Sequence, residues 1–129
     1  MAKILIVDDE LKIREVIKEY GKSYGYTVKE ASNGKIAVDM VDKENFDVIV
    51  LDIMMPGMDG VETLKNIKAQ NNENANIPAI VVTANAVEGA KDYYISQGFQ
   101  EYISKPVDSE FLNETIRKYL PEELIEDNN

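Results

Sequence analysis

Acidic residues follow two apolar runs of this 129-residue sequence, at the point where each run ends. Asp8 and Asp9 follow residues 4–7, and Asp52 follows residues 48–51. If the two runs form neighbouring parallel strands, three carboxylates meet at one edge of a sheet. Like charges placed so closely repel each other unless a cation or a change of protonation relieves them. Because Mg²⁺ prefers oxygen ligands and accepts few of them from protein, the pattern predicts a magnesium site here.

Two further polar side chains follow apolar runs later in the chain. Thr83 ends the run 80–83, and Lys105-Pro106 follows the short run 102–103. In parallel strands these ends share the edge that carries the acidic residues. A hydroxyl can donate a hydrogen bond, and an ammonium group offers a point charge to an oxyanion. A carboxylate nucleophile, a metal, a hydroxyl and an ammonium group together form a site for phosphoryl transfer.

The composition narrows the classes of function. A net charge of −10 argues against direct binding to nucleic acid, since phosphate backbones require clustered Lys and Arg. The absence of Cys excludes disulfides and thiolate metal sites, and it agrees with the cytoplasmic location that we expect. The absence of His means that any phosphohistidine must come from a partner. The sequence shows neither a signal peptide nor an apolar run of about 20 residues, so we expect no contact with a membrane.

Short apolar runs alternate with longer amphipathic segments along the chain. The predicted strands are residues 4–7, 27–30, 48–51, 80–83 and 102–103. This alternation predicts an α/β fold with a mostly parallel sheet covered on both faces. Right-handed crossovers favour a doubly wound, five-stranded sheet of order 2-1-3-4-5 with five helices, a flavodoxin-like three-layer sandwich. In that order the ligand-binding crevice lies between the first and third strands, where the acidic residues are placed.

Five helices are predicted from apolar positions at spacings of three and four and from capping residues at their starts. The first carries Ile13, Val16, Ile17, Tyr20 and Tyr24 and ends near Gly21 and Gly25. The second opens at Asn33-Gly34 and carries Ile36, Ala37, Met40 and Val41. The third is capped by Asp59 or Gly60, with Val61, Leu64 and Ile67 inward. The fourth begins at Asn85 or Ala86, and the fifth is capped by Asp108 or Ser109, with Phe111, Leu112, Ile116 and Leu120 inward.

Two segments are predicted to lie outside the packed core. Residues 70–76 form an Asn-rich loop before the fourth strand, and their polarity predicts exposure to solvent. Pro121 is expected to stop the last helix. We therefore assign residues 1–121 to one domain and residues 122–129 to an acidic, disordered tail.

At these positions the chain resembles the receiver domains of response regulators in two-component signalling, including those related to chemotaxis regulators. The resemblance covers residues 3–120. It rests on five motifs in matching order and spacing, namely Asp8-Asp9, Asp52, Pro56-Gly57, Thr83-Ala84 and Lys105-Pro106. It implies a regulatory phosphoacceptor domain of a two-component system or phosphorelay. Such a domain is not an enzyme, because its chemistry is limited to its own phosphorylation and self-dephosphorylation.

The resemblance assigns roles at the phosphoryl site. Asp52 is the expected phosphoacceptor, and Thr83 and Lys105 are expected to contact the phosphoryl group. Tyr102 resembles the aromatic residue that changes rotamer on activation, in concert with Thr83. The Lys105-Pro106 peptide bond is expected to be cis, as in the family.

The resemblance also implies a set of metal ligands. Asp9, Asp52 and the main-chain carbonyl of Met54 are the expected direct ligands of Mg²⁺, for which Mn²⁺ can substitute. Asp8 is expected nearby or bound through water.

Partners follow from the resemblance as well. The phosphodonor would be a histidine kinase or a histidine phosphotransfer protein. The residues expected to dock it are Leu11, Arg14, Glu15, Lys18, Pro106 and Val107. Residues 86–97, 102–104 and 109–119 are expected to form the face that binds a downstream protein. The chain is expected to be a monomer or a weak dimer that depends on phosphorylation.

The setting of the domain has two interpretations. The stretch Thr83-Ala84-Asn85-Ala86 and residues 119–125 resemble receivers fused to hybrid sensor histidine kinases. The start Met1-Ala2-Lys3 instead favours a free-standing protein. The sequence leaves both settings open.

Other functional classes fit the residues less well. An aspartate-nucleophile phosphatase of the haloacid dehalogenase type needs a second Asp two residues after the nucleophile, and that position is Met54. A flavodoxin-like cofactor binder needs a phosphate-binding loop after the first strand, where Asp8 and Asp9 would repel a phosphate. A degenerate receiver that acts only as a scaffold is disfavoured because the full set of site residues is present.

Overall fold

The computed structural model describes residues 2–70, 73–84 and 87–121. Its strands are β1 (Lys3–Val7), β2 (Thr27–Ala31), β3 (Val48–Asp52), β4 (Ala79–Thr83) and β5 (Glu101–Ser104). They form one parallel sheet in the order β2-β1-β3-β4-β5, which confirms the predicted order and the α/β class. Each predicted strand is present and extends one or two residues beyond its predicted bounds.

Helices connect the strands and cover both faces of the sheet. They are α1 (Leu11–Ser23), α2 (Gly34–Lys43), α3 (Gly60–Ala69), α4 (Ala90–Ser96) and α5 (Ser109–Arg117). A short 3-10 helix, Glu73–Asn76, precedes β4. In the part of the chain that the structure describes, none of the helices is long and apolar enough to cross a bilayer.

Side chains cap three of these helices at their N-termini. Asn33, Asp59 and Asp108 each accept a hydrogen bond from the backbone N–H three residues later, at 2.8 to 2.9 Å. Each cap satisfies one of the backbone donors that the first turn of a helix leaves free. These contacts confirm the predicted starts of α2, α3 and α5, and they select Asp59 and Asp108 as the caps.

The core consists of two apolar layers, one on each face of the sheet. Strands β3 and β4 are buried along their whole length and β1 over all but its first residue, because helices cover both of their sides. One layer packs α1 and α5 through Ile17, Leu112, Ile116 and Leu120. The other packs α2 and α3 through Ala37, Val41, Leu64 and Ile67. The edge strand β2 alternates between exposed and part-buried residues before its buried end, as one open side predicts.

Three apolar residues assigned to the inner stripes face outward instead. Val16, Ile36 and Phe111 are 43%, 40% and 47% exposed. Each stands next to a buried residue of the same helix, so the stripe read from the sequence was wider than the strip of helix surface that contacts the sheet. Spacing alone cannot separate the centre of such a stripe from its margin.

The Asn-rich segment before β4 corrects a second expectation. Asn74 is 1% exposed rather than solvated. Its amide nitrogen donates to the carbonyls of Val41 and Glu44 at 2.7 and 2.9 Å, and its oxygen accepts from the N–H of Phe46 at 3.1 Å. The side chain thus satisfies backbone groups around the connection from α2 to β3, and a polar residue here is part of the core.

Helix α4 begins later than predicted. Its first residue is Ala90, and it follows Gly89, whose φ of +82° lies in the left-handed region. The predicted start at residues 85–86 and the predicted tail at residues 122–129 lie outside the described residues.

Candidate functional site

The register of the parallel strands brings the predicted site residues to one edge of the sheet. Val7 of β1 pairs with Leu51 of β3, so Asp8 and Asp52 each follow these partners by one residue. Asp52 in turn pairs with Val82, the residue before Thr83. The carboxyl ends of β1, β3 and β4 therefore meet as expected, at the point where the strand order reverses.

Lys105 connects the carboxylates at this edge. Its Nζ lies 3.1 Å from Oδ2 of Asp8, 3.4 Å from Oδ1 of Asp52 and 3.8 Å from Oε1 of Glu10. Its peptide bond to Pro106 is cis, as expected. The Asp8 and Asp52 side chains are nearly buried, so a cation at this position offsets a charge that solvent can screen only weakly.

Asp52 carries an electrostatic cost despite this ion pair. Burial is the main reason that its pKa rises to about 6, and the nearby Asp8 carboxylate adds to the effect while Lys105 opposes it. Burial also opposes the charge of Lys105, but the two carboxylates outweigh it, so the pKa of its ammonium group lies above the ordinary value. At neutral pH the site therefore holds an ionised Asp52 that a further cation would stabilise.

The segment between β1 and α1 carries three adjacent acidic residues. Oxygen atoms of Asp8, Asp9 and Glu10 lie within 4.8 Å of one another. Oδ1 of Asp8 accepts the N–H of Glu10 at 2.9 Å and its Oδ2 contacts Lys105, so both of its oxygens are engaged. The Asp9 side chain is exposed. Glu10 was not among the site residues predicted from the sequence, although its position beside Asp9 could have indicated it.

The turn after Asp52 packs closely against the start of α3. Gly60 donates its N–H to the carbonyl of Ile53 at 3.0 Å. A Cβ at Gly60 would lie 2.6 Å from the Asp52 carbonyl oxygen, so only glycine fits there. Met54 in this turn is 61% exposed, and Met55 is buried. The close approach fixes the backbone on which the predicted phosphoacceptor and the Met54 carbonyl stand.

Thr83 and Tyr102 lie on the side of the site nearer β5. Thr83 is fully buried, and its carbonyl accepts the N–H of Lys105 at 2.8 Å. Tyr102 is part-buried, and its ring stacks on that of Tyr94 in α4, with centroids 6.1 Å apart and an interplanar angle of 16°. The predicted switch residues are thus adjacent to the site and to α4.

The residues predicted to dock a phosphodonor differ in their exposure. Leu11, Glu15 and Pro106 are exposed, and Val107 is part-buried against the α1–α5 layer. Arg14 and Lys18 both pair with Glu30 of β2, and the Arg14 side chain is only 12% exposed. Leu11, Glu15 and Pro106 therefore offer an exposed surface, while the Arg14 side chain is mostly buried against β2.

The acidic residues fit a magnesium ion. The candidate donors are carboxylate oxygens, which are the hard ligands that Mg²⁺ prefers. The Asp9 carboxylate is exposed and therefore accessible to a cation. The raised pKa of Asp52 means that its ionised form would be stabilised by a bound cation. With one or two carboxylates, Mg²⁺ would keep several waters, as is usual for this ion.

Comparisons with known proteins agree with this geometry. The sequence profile of the response regulator receiver domain matches residues 4–117. Sporulation initiation phosphotransferase F of Bacillus subtilis (strain 168) is 37% identical over 123 residues, which cover 92% of this chain and 94% of that protein. The Vibrio cholerae chemotaxis protein CheY4 superposes with a TM-score of 0.86 at 32% identity, over 93% of this chain and 99% of that one.

A third relative bears on the metal. The receiver domain of sensor histidine kinase PA1611 from Pseudomonas aeruginosa PAO1 superposes with a TM-score of 0.83 at 30% identity, over 92% of this chain and 96% of that one. That structure has a magnesium ion coordinated in its active-site cleft. The chain belongs to the response regulator receiver domain family, the phosphoacceptor domains of two-component systems.

Proposed function

We propose that Asp52 is the phosphoacceptor of this receiver and takes its phosphoryl group from the phosphohistidine of a histidine kinase or a histidine phosphotransfer protein. The observation that carries the assignment is the buried Asp52 carboxylate at the strand-order reversal, with the Lys105 ammonium 3.4 Å away. The absence of His from the chain supports a phosphohistidine on the partner rather than on this protein.

The chemistry needs an ionised carboxylate. An Asp52 oxygen forms a bond to phosphorus while the bond from phosphorus to the partner's imidazole nitrogen breaks, and the leaving imidazole takes up a proton. With a pKa of about 6, Asp52 is mostly ionised at neutral pH and more basic than an ordinary Asp. Lys105 and the Thr83 hydroxyl are then the groups that contact the phosphoryl oxygens.

Asp9, Asp52 and the Met54 carbonyl would hold the Mg²⁺, or Mn²⁺ in its place, with Asp8 bound through water. The ion supplies positive charge against the phosphoryl oxygens. Asp8 is suited to an indirect role because Glu10 and Lys105 already engage its two oxygens.

The protein then acts through other proteins rather than as an enzyme with a substrate of its own. The phosphodonor docks on Leu11, Glu15, Lys18, Pro106 and Val107, and a downstream protein binds the face formed by α4, β5 and α5. The chain works in the cytoplasm as a monomer or a weak phosphorylation-dependent dimer, without contact to nucleic acid or a membrane.

The experiment is intact-mass spectrometry after incubation with acetyl phosphate and Mg²⁺. The unaltered chain should gain the mass of one phosphoryl group, and Asp52→Asn should gain none. Asp42→Asn removes an exposed carboxylate on α2 and serves as the matched control, with labelling equal to that of the unaltered chain. Lys105→Ala should still accept the group but fail to pass on the signal. Labelling of Asp52→Asn would show that the acceptor lies elsewhere.

A further inference from the structure

The Arg14 side chain joins three elements next to the candidate metal site. Its Nη1 donates a hydrogen bond to the main-chain carbonyl of Asp8 at 2.8 Å, and its Nε donates to Oε1 of Glu30 at 2.9 Å. Arg14 belongs to α1, and Glu30 is the penultimate residue of β2. With 12% of the side chain exposed, the guanidinium is held between the helix, the strand and the segment after β1.

Backbone hydrogen bonds hold the acidic segment Asp8-Asp9-Glu10 in place. The N–H of Asp8 donates to the carbonyl of Ala31 at 3.2 Å, and the N–H of Arg14 donates to the carbonyl of Glu10 at 3.2 Å. Between these two points the Arg14 guanidinium binds the carbonyl of Asp8, which belongs to the peptide group that links Asp8 to Asp9. The exposed Asp9 carboxylate extends from a backbone whose orientation that hydrogen bond sets.

We infer that Arg14 is a positioning residue of the magnesium site, which orients the Asp8-Asp9 peptide and through it the Asp9 carboxylate. The inference rests on the proposed function only in taking Asp9 as a metal ligand. Arg14 then belongs to the metal site, whereas the sequence predicted a place for it on the docking surface for a phosphodonor. At other metal sites, mutation of a residue that fixes the geometry of a ligand typically lowers metal affinity by about 10- to 100-fold.

The residue type matches this role. A guanidinium presents its donors in a rigid fork and can hold a carbonyl and a carboxylate at once, which a Lys ammonium on a flexible stem cannot do with the same geometry. Glu30 offsets the charge of Arg14, and the hydrogen bond from Arg14 is the main reason that the pKa of Glu30 lies below its ordinary value. Arg14 therefore contributes geometry to the site more than positive charge.

Geometry and charge predict opposite effects of removing Arg14. If only its charge mattered, loss of a cation near the carboxylates would strengthen Mg²⁺ binding, because like charges repel. If it orients the Asp8-Asp9 peptide, its loss weakens Mg²⁺ binding. The sign of the change thus separates the two roles.

Isothermal titration of the full chain with Mg²⁺ alone measures that sign without any phosphorylation step. Arg14→Met keeps the apolar stem of the side chain and should bind Mg²⁺ about tenfold more weakly than the unaltered chain. Arg14→Lys keeps the charge and should be weakened as well. Lys18→Ala is the matched control, since it removes the other cation paired with Glu30 and leaves the bond to Asp8 intact. Its affinity should not fall.

The outcomes are separable. Unchanged or stronger Mg²⁺ binding by Arg14→Met, or full affinity in Arg14→Lys, overturns the positioning role and leaves the phosphoacceptor assignment standing. Failure of acetyl phosphate to label the unaltered chain, with Arg14→Lys still weakened in Mg²⁺ binding, overturns the proposed function and leaves the positioning role standing. If Arg14→Met does not fold by its melting curve, Arg14→Lys gives the same comparison. If the unaltered chain binds no Mg²⁺, both the magnesium site of the proposed function and the positioning role of Arg14 are overturned.

Discussion

At the scale of single residues, Asp52 shows how a functional site is kept at a cost in stability. Its carboxylate is 4% exposed and lies near a second buried carboxylate, Asp8, with Lys105 as the cation between them. The pKa of about 6 means that the folded protein favours the protonated form more than an unfolded chain does, where the ordinary value is 3.8. Below pH 3.8 Asp52 is protonated in both states and carries no penalty. As the pH rises through 6 the folded state becomes less stable by the cost of the charge.

Replacement of Asp52 by Asn should therefore stabilise the metal-free protein at neutral pH. The expected gain in the free energy of unfolding is about 3 kcal/mol at pH 7.5, and it should nearly vanish at pH 4 because the folded forms of both proteins are then uncharged at this position. Urea unfolding at several pH values in the presence of a chelator measures it. The exposed Asp42→Asn serves as the control and should show a difference near zero throughout. A gain that is equal at pH 4 and pH 7.5 would contradict the electrostatic account.

At the scale of elements, the contact between α3 and the turn after β3 holds the candidate site in shape. A Cβ on Gly60 would lie 2.6 Å from the Asp52 carbonyl oxygen and 2.9 Å from Cα of Ile53. Both are backbone atoms, so the helix and the turn would have to separate. The first residue of α3 therefore lies directly against the backbone of Asp52 and Ile53.

Gly60→Ala should destabilise the protein by about 2 kcal/mol, as overpacking against backbone does, and should shift the amide resonances of Asp52 and Ile53. Urea unfolding and a two-dimensional NMR spectrum give the two readings. Gly57→Ala is the comparison, because a Cβ there meets nothing while its φ of +78° strains the backbone. It should cost about 1 kcal/mol and leave the amide resonances of Asp52 and Ile53 nearly unshifted. Equal destabilisation by the two substitutions, with these resonances unshifted in Gly60→Ala, would show that the contact at Gly60 has no special role.

The connection between α2 and β3 depends on the buried amide of Asn74. Asn74→Ala leaves the carbonyls of Val41 and Glu44 and the N–H of Phe46 without this partner, so the expected loss in the free energy of unfolding is about 3 kcal/mol. Thermal and urea unfolding measure it. Asn66→Ala on the exposed side of α3 is the control and should change stability by less than about 0.5 kcal/mol. A similar small change in both variants would mean that water replaces the Asn74 contacts.

At the scale of the whole molecule, we expect stability to depend on divalent cations because of the charge of the chain and the acidic edge of its sheet. The net charge is −10, and several carboxylates lie at the edge built by β1 and β3. A ligand that binds the folded state and not the unfolded chain raises stability by mass action. Millimolar Mg²⁺ should accordingly raise the melting temperature of the unaltered chain, and Asp9→Ala should lose most of that rise. NaCl at matched ionic strength separates site binding from screening. Identical shifts in the two proteins would contradict a site at Asp9.

Contacts between aromatic rings connect β5, at one edge of the sheet, with helix α4. Tyr102 of β5 stacks on Tyr94 of α4, whose ring also meets that of Phe99 edge to face at 6.1 Å. A phosphoryl group that draws Thr83 inward would open space for Tyr102 and so disturb this stack. A conformational change of this kind requires that the phosphoryl group stabilise one arrangement more than the other.

Beryllofluoride with Mg²⁺, which imitates a phosphorylated Asp52, should therefore shift amide resonances in α4, β5 and α5 as well as around the site. Two-dimensional NMR of the unaltered chain measures the pattern, and Asp52→Asn should show no response. Tyr102→Ala should keep the shifts near Asp52 and reduce those in α4. Changes confined to the surroundings of Asp52 in the unaltered chain would refute the switch.

The sequence by itself determined the order of elements, the α/β class and which strand ends meet at the candidate site. Apolar runs that end in Asp8, Asp52 and Thr83 can be buried on both faces only as parallel strands between helices, and parallel strands deliver their ends to one edge. Caps such as Asn33 and Asp59 are local interactions between neighbours in the chain, so their side chains also predict them. For these features, residue type and spacing contain the physical cause.

Only the tertiary structure decided which side chains share an environment across long distances in the chain. Asn74 is a core residue because three backbone groups of the α2–β3 connection converge on it, and polarity alone predicted the reverse. Phe111 and Val16 face outward because the width of each buried stripe depends on what packs against the helix. From the sequence Arg14 is expected to be a surface charge. In the folded protein it lies beside Glu30 of β2 and within hydrogen-bonding distance of the Asp8 carbonyl. These outcomes depend on burial and on partners many residues away, which periodicity along one chain does not contain.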